Sequence, residues 1–224
     1  MEGFALLLDF DGTLADSLPL CLLALRASLL RHTGRIHSDR EIAAHFGASE
    51  EGIFQRLAPD SWRECLASYV EEYERSHHLC PATFAGVNDI LARIRARGVQ
   101  LGLVTGKGAA SAGVSLELLG LADLFDEARF GSPTGDVKAA NIVELVRTFG
   151  VSAERTAYVG DFPGDVRAAR AAGVWAVAAA WAPGAPVGLL AAERPDALLR
   201  SPDELERWVE RWPTADRRSR SAGT

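Results

Sequence analysis

Near the start of the chain five apolar residues in succession, Phe4-Ala5-Leu6-Leu7-Leu8, run straight into Asp9-Phe10-Asp11-Gly12-Thr13. An unbroken apolar run of this length, closed by a turn signal, offers no polar alternation for a solvated sheet face and reads as a strand covered on both sides. Strands of that kind belong to parallel sheets, whose crossover helices lie on the two faces. Similar runs recur at 101–105, 156–160 and 174–180. Between them Val87, Ile90, Leu91 and Ile94 share one helical face that stops at Gly98, a natural residue to follow a helix. Strands alternating with helices predict an α/β fold, a Rossmann-like parallel sheet with ligands at the carboxyl ends of the strands.

Residues 17 to 84 break this rhythm and predict an inserted, purely helical unit directly after the first strand. Ser17 is placed to cap a helix with Pro19 in its first turn and Leu18, Leu22, Leu25 and Leu29 along one face. Ser38-Asp39-Arg40-Glu41 has capping-box spacing, and Asp60 is placed to cap a third helix striped by Trp62, Leu66, Tyr69 and Tyr73. The expected division is a core at 1–16 and 85–212 and a helical cap at 17–84, with the sheet resuming near Pro81–Gly86 and a polar, disordered tail at 213–224.

A formal net charge of −6 and a pI near 5.4 argue against a surface that holds nucleic acid or anionic lipid by charge. Cys21, Cys65 and Cys80 have no CxxC spacing and predict buried thiols rather than a disulfide framework. The first apolar run is too short to span a membrane and no basic segment precedes it, so the expected setting is cytoplasmic, with neither membrane nor nucleic acid as a partner. The expected state is a monomer or homodimer. Only two of the 24 basic residues are lysines, Lys107 and Lys138. Any chemistry that needs an amine must use one of them.

Two carboxylates one residue apart, Asp9 and Asp11, sit where the first strand ends. Alternation along a strand would send them to opposite faces, but a turn at Gly12 can curl both toward one pocket. Such a pair can hold a hard cation, or divide attack and proton transfer between them. Alone, Asp-x-Asp-Gly is more often an ordinary turn. A second acidic cluster, Gly160-Asp161-Phe162-Pro163-Gly164-Asp165, follows another buried run and falls on the same sheet edge. There Asp161 can complete a metal site with Asp9, and Asp165 can act as an outer ligand or orient its neighbours. Thr105-Gly106 ends a strand with a hydroxyl and a glycine N–H just before a helix, a natural anion site. Lys138 opens a further helix after a turn.

Taken together, Asp9-Phe10-Asp11-Gly12-Thr13-Leu14-Ala15-Asp16-Ser17, Thr105, Lys138 and Gly160-Asp161-x-x-x-Asp165 resemble the four-motif set of the haloacid dehalogenase-like hydrolases, in particular the phosphoglycolate-phosphatase-like subgroup with an α-helical cap of the C1 type. The resemblance spans residues 4 to about 209. It implies a Mg²⁺-dependent phosphatase acting on a small phosphorylated metabolite through an aspartyl phosphate. Asp9 would be the nucleophile and Asp11 the general acid and base. Thr105, Gly106 and Lys138 would hold the phosphoryl group. Mg²⁺ would sit on Asp9, the Asp11 backbone carbonyl and Asp161, with Asp165 in support. One departure stands out: Ala139 follows Lys138 where the family usually has proline.

The same resemblance supplies alternatives. A dehalogenase-type site would lack Asp11. A phosphosugar mutase usually carries histidine twelve residues past the nucleophile, where this chain has Cys21, and a phosphonate-cleaving relative needs a cap lysine, which 17–84 lacks. Other phosphotransferases and a non-catalytic binding protein on the same scaffold complete the set. Three further features have plainer readings. His77-His78 is expected to be a solvated helix end, since neighbours on a helix point about 100° apart. The Trp62–Tyr73 stripe reads as packing within the helical unit, and Phe46–Ser49 either as a substrate-facing loop or as a plain connector.

Overall fold

A computed structural model describes residues 3–212, so the expected tail at 213–224 lies outside the described residues. The apolar runs become strands β1 (Phe4–Leu8), β2 (Val99–Val104), β4 (Thr156–Gly160) and β5 (Trp175–Ala179), joined by the three-residue strands β3 (Glu127–Arg129) and β6 (Ala197–Leu199). Every pairing is parallel and the order is β3-β2-β1-β4-β5-β6. Helices α5 (Val87–Ala96), α6 (Ala109–Leu118), α7 (Lys138–Phe149), α8 (Pro163–Ala171), α9 (Val187–Ala192) and α10 (Pro202–Arg211) alternate with the strands. Two buried clusters, one containing Leu6, Leu8, Leu101, Leu103 and Val159, the other Leu7, Val104, Ile142, Leu145 and Tyr158, cover the two sheet faces. Successive residues of β1 divide between them, as the two-residue period of a strand requires.

The order reverses between β1 and β4, and in open parallel sheets the crevice for ligands opens at such a point, outside the carboxyl ends of the strands. Asp9 directly follows β1 and Asp161 directly follows β4. The ladder continues one step past the strands, with the Asp9 N–H donating to the Val159 carbonyl at 2.9 Å.

Between β1 and α5 lie α1 (Leu18–Thr33), α2 (Asp39–Ala43), α3 (Glu50–Leu57), α4 (Trp62–Arg75) and a 3₁₀ turn (His77–Leu79), with no strand among them. The α1 face that packs inward is Leu20, Cys21, Ala24, Leu25, Ser28 and Leu29, whereas Leu18 is exposed. The capping box at Ser38 and Glu41 forms. Four local expectations need correction. Ser17 takes the cap position of α1, but its side chain makes no capping bond. Ser61, not Asp60, precedes α4. After Pro81–Gly86 the chain enters α5, and the next strand begins only at Val99. His77 is not a solvated helix end: it is 5% exposed, with Nε2 3.0 Å from Ser115 Oγ and its ring edge-on to Tyr73. All three cysteines are buried and unpaired. Among the described residues no helix is long and apolar enough to cross a membrane.

Candidate active site

Asp9 is buried at the end of β1. Lys138, the first residue of α7, reaches across from behind the turn 132–136 and puts its Nζ 2.6 Å from Asp9 Oδ2 and 2.6 Å from Asp165 Oδ1. Burial alone would strip the proton from that amine, but Asp165 and Asp9 outweigh it and hold Lys138 charged. The turn is fixed by Asp136, whose Oδ1 accepts from the Lys138 N–H at 2.9 Å, so α7 starts where the sequence places it even with Ala139 in the second position.

Both carboxylate oxygens of Asp165 are engaged. Oδ1 meets Lys138 and, at 3.2 Å, the hydroxyl of Tyr158, and Oδ2 accepts from the Phe162 N–H at 2.9 Å. It therefore orients Lys138, in keeping with an outer role. Gly160 makes room for it, since a Cβ there would stand 2.4 Å from that of Asp165. Asp161 Oδ1 accepts from the Thr13 hydroxyl at 3.1 Å. Gly12 adopts φ 76° in the turn directly after the two motif carboxylates.

Asp9, Asp161 and Asp165 each bring a carboxylate oxygen within 4.8 Å of the others. Burial first, and then the mutual repulsion of these carboxylates, pushes Asp161 up to about 8. Burial also raises Asp9, against the pull of Lys138, to about 6. Asp9 Oδ1 is buried and has no hydrogen-bond partner among the described residues. An all-oxygen, anionic donor set with one buried oxygen unpartnered fits a hard divalent cation, which would relieve the repulsion and supply the missing partner.

The side chain of Asp11 lies outside that trio. Its Oδ1 is 2.5 Å from Ser17 Oγ, 3.3 Å from Lys107 Nζ and 3.5 Å from Cys21 Sγ. Ser17 thus gives its hydroxyl to Asp11 instead of to the helix it precedes. Lys107 is 3% exposed, lies 3.1 Å from Cys21 Sγ and faces the Tyr73 ring at 4.5 Å. Burial opposes its charge, and Asp11 leads the interactions that restore it. The two lysines thus part company: Lys138 serves the Asp9 side and Lys107 the Asp11 side.

The buried Thr105 Oγ1 accepts from the Lys107 N–H at 3.2 Å, which leaves its own hydroxyl proton for a ligand. Gly106 lies against Lys138, with a Cβ placed there 3.8 Å from Lys138 Cε. Gly131 is the constrained one, because a Cβ there would come 2.0 Å from the Gly106 carbonyl oxygen. The structure therefore gathers Asp9, Gly106, Lys138, Asp161 and Asp165 into contact, with Thr105 next to Gly106 and Asp11 held alongside by α1. Reading the sequence missed Thr13, Ser17, Lys107, Gly131 and Tyr158 as members of this neighbourhood. Thr13 and Ser17 stand inside the first motif without a site role assigned, Lys107 is marked by the scarcity of lysine, and Gly131 and Tyr158 carry no signal.

The Phe46–Ser49 loop packs on the turn that leads to Lys138: the Ser49 N–H donates to the Ser132 carbonyl at 2.9 Å, while Phe46 is 43% exposed. Tyr69 and Tyr73 are buried: the Tyr69 hydroxyl bonds Glu50 at 3.0 Å within the helical segment, and that of Tyr73 lies 2.8 Å from Ser115 Oγ on α6.

Comparison with known proteins agrees with this architecture. The phosphoglycolate phosphatase of Synechococcus elongatus is 33% identical over 204 residues, covering 90% of this chain and 94% of that protein. Among solved structures, CbbY from Rhodobacter sphaeroides in complex with phosphate superposes with a TM-score of 0.75 at 20% identity, covering 92% of this chain and 96% of that one. The haloacid dehalogenase-like family protein SP0104 from Streptococcus pneumoniae superposes at 0.72 with 24% identity, covering 92% and 97%. At such identities the two structures speak for the fold. The family model described as haloacid dehalogenase-like hydrolase matches residues 6–179, a span that runs from β1 through all four motifs to β5, and the chain belongs to that family.

Proposed function

We propose that this protein is a Mg²⁺-dependent phosphatase that hydrolyses a small phosphorylated metabolite through an aspartyl phosphate on Asp9. Within its family the chain is a phosphoric monoester hydrolase, as its 33% identity to a phosphoglycolate phosphatase over nearly its whole length indicates. The observation that carries the finer reading is the state of Asp9. One carboxylate oxygen is clamped by Lys138 at 2.6 Å and the other is buried without a partner. A carboxylate desolvated on one side and oriented on the other is primed to attack an electrophile.

Each remaining group then has a task. Lys138 offsets charge as a phosphoryl group approaches an anionic nucleophile, a repulsion that helps make phosphate monoesters among the slowest substrates to hydrolyse in water. Thr105 and the Gly106 N–H hold phosphoryl oxygens. Asp11 gives a proton to the leaving oxygen and then takes one from the water that cleaves the phosphoenzyme. Ser17 and Lys107 fix its carboxylate for both steps. Held by Asp9, Asp161 and the Asp11 backbone carbonyl, Mg²⁺ would neutralise part of the phosphoryl charge. The helical unit 17–84 acts as the cap that shields the site from water, and Phe46–Ser49 lies at its rim.

The test is phosphate release from a panel of phosphorylated small molecules and one phosphopeptide, with Mg²⁺ or with EDTA, for the parent and Asp9→Asn. Turnover of a small metabolite that needs Mg²⁺ and vanishes in Asp9→Asn is expected. Equal cleavage of the phosphopeptide, or full activity in EDTA, would overturn the reading.

A further inference from the structure

Glu50 is a carboxylate in an unusual place. It is the first residue of α3, it is 6% exposed, and none of its bonded partners is a cation. It accepts from the Tyr69 hydroxyl at 3.0 Å on its own side of the interface. On the sheet side it accepts from the Ser111 hydroxyl at 2.6 Å and from the backbone N–H of Gly108. Gly108 is the cap residue of α6 and closes the segment Thr105-Gly106-Lys107-Gly108. The carboxylate is thus set at the positive ends of two helices, its own and α6. An isolated buried carboxylate is costly, and this one is tolerated through three donors and two helix dipoles.

The neighbouring contacts between α3 and the sheet domain are weaker. They comprise one backbone bond from Ser49 to Ser132, a 3.5 Å approach of Arg56 Nη2 to the Pro133 carbonyl, and the close seat of Gly52 on Pro133, where a Cβ would meet the carbonyl oxygen at 2.3 Å. Glu50 alone among these reaches the segment that carries Thr105 and Gly106.

We propose that Glu50 is a positioning residue, a latch that docks the helical unit on the N-terminus of α6 and so sets the Thr105–Gly108 segment for phosphate. The inference rests on the assignment of that segment to phosphate binding. Occupancy of the segment and docking of the unit then favour one another. A ligand held at Thr105 and Gly106 stabilises the arrangement that Glu50 completes, and losing Glu50 weakens both.

The cysteines report on this without turnover. Cys21 on α1 is wedged against Lys107 and Asp11, at the junction between the helical unit and the sheet domain. Cys65 lies inside the helical unit, where its backbone carbonyl accepts from Ser28. Maleimide labelling, read peptide by peptide by mass spectrometry, then separates undocking, which frees Cys21 alone, from unfolding, which frees both. The variants are Glu50→Gln and, from the other side of the contact, Gly108→Ala, whose Cβ would stand 2.7 Å from Glu50 Oε2 at a φ of −67° that any residue accepts.

In the parent, inorganic phosphate with Mg²⁺ should slow labelling of Cys21. In both variants Cys21 should label at least about tenfold faster, the scale of one charge-assisted hydrogen bond, with Cys65 unchanged and the phosphate protection lost. Parental Cys21 rates in both variants, joint acceleration of Cys21 and Cys65, or protection that survives in the variants would overturn the latch. If phosphate fails to protect even the parent, the phosphate-site assignment falls and takes the coupling with it, a result distinct from failure of the latch alone.

Discussion

A Cβ placed on Gly12 would lie 2.1 Å from Asp161 Oδ2 and 2.5 Å from its Cγ. The residue that follows Asp11 therefore cannot be anything but glycine while Asp161 stays where it is. Its φ of 76° adds a second reason, since a side chain there costs about 1–2 kcal/mol. Gly12→Ala should fold, because the clash is with a movable carboxylate beside the crevice. It should nonetheless lose at least about 100-fold in turnover and bind Mg²⁺ more weakly, as expected when a first-ranked site group is displaced by an ångström or more. Circular dichroism with a Mg²⁺ titration checks both halves. An active variant with parental Mg²⁺ affinity would show that Asp161 is not needed where it stands.

Lys138 bridges Asp9 and Asp165 at 2.6 Å each, and its removal leaves two buried carboxylates facing one another. Breaking a buried ion pair from one side costs about 3–5 kcal/mol. Lys138→Ala should therefore unfold at clearly lower denaturant concentration, and its turnover should fall by roughly 10²-fold or more, the scale of losing one preorganised charge. Asp9 would also hold its proton to higher pH in the variant, moving the acid limb of the rate profile upward. A variant with parental stability and an unmoved profile would remove Lys138 from the site.

Much of this site was legible because it is local. The strand β1 and its Asp9–Gly12 ending are adjacent in sequence, and so are β4 and Asp161–Asp165, which is why both acidic strand ends are legible in the sequence. Lys138 stood out through scarcity. The strands β3 and β6 did not, because Glu127-Ala128-Arg129 and Ala197-Leu198-Leu199 are three-residue edges with no long apolar run. Tertiary pairing overrode local preference in three places. Ser17 looked like a helix cap, but Asp11 claims its hydroxyl. His77 looked like a helix end, but Tyr73 and Ser115 bury it. Glu50 looks like any first-turn acid, and nothing local reveals that its partners lie 58 and 61 residues away.

The raised carboxyls give the metal-free protein an unusual pH dependence. Unfolded, Asp9 and Asp161 return to the ordinary carboxylate value of 3.8; folded, they are pushed up to about 6 and to about 8. Between those limits the folded state holds protons that the unfolded state has released, so stability contributed by these groups falls as pH rises from about 4 to about 8. Protein stripped of metal should melt at a lower temperature at pH 8.5 than at pH 5. Mg²⁺ should restore the melting temperature far more at pH 8.5, where it need not displace protons. Asp161→Asn should flatten the slope. A metal-free protein that gains stability across this window, or an Asp161→Asn slope equal to the parent's, would contradict the repulsion inferred among these carboxylates.

Ser17 and Lys107 hold the Asp11 side chain, and Asn would leave both in place. Ser17 Oγ at 2.5 Å and Lys107 Nζ at 3.3 Å both approach Oδ1, and an amide oxygen can accept from either. What Asn cannot do is carry a proton to a leaving oxygen or take one from water. Asp11→Asn should therefore keep the fold and the Mg²⁺ affinity, at a cost in stability because the buried Lys107 loses its leading counter-charge, while slowing turnover by roughly 10²–10⁴-fold, the range for one general acid–base group. The loss should shrink for substrates with acidic leaving groups, such as aryl phosphates, because a good leaving group needs less help from an acid. Ser17→Ala removes one of the groups that hold the carboxylate yet leaves it ionisable, so its loss should be smaller than that of Asp11→Asn for every substrate. Rates measured across a series of aryl and alkyl phosphates decide the matter. If Asp11→Asn loses less than about threefold on alkyl phosphates, far below that range, Asp11 is a turn residue and the protons move by another route.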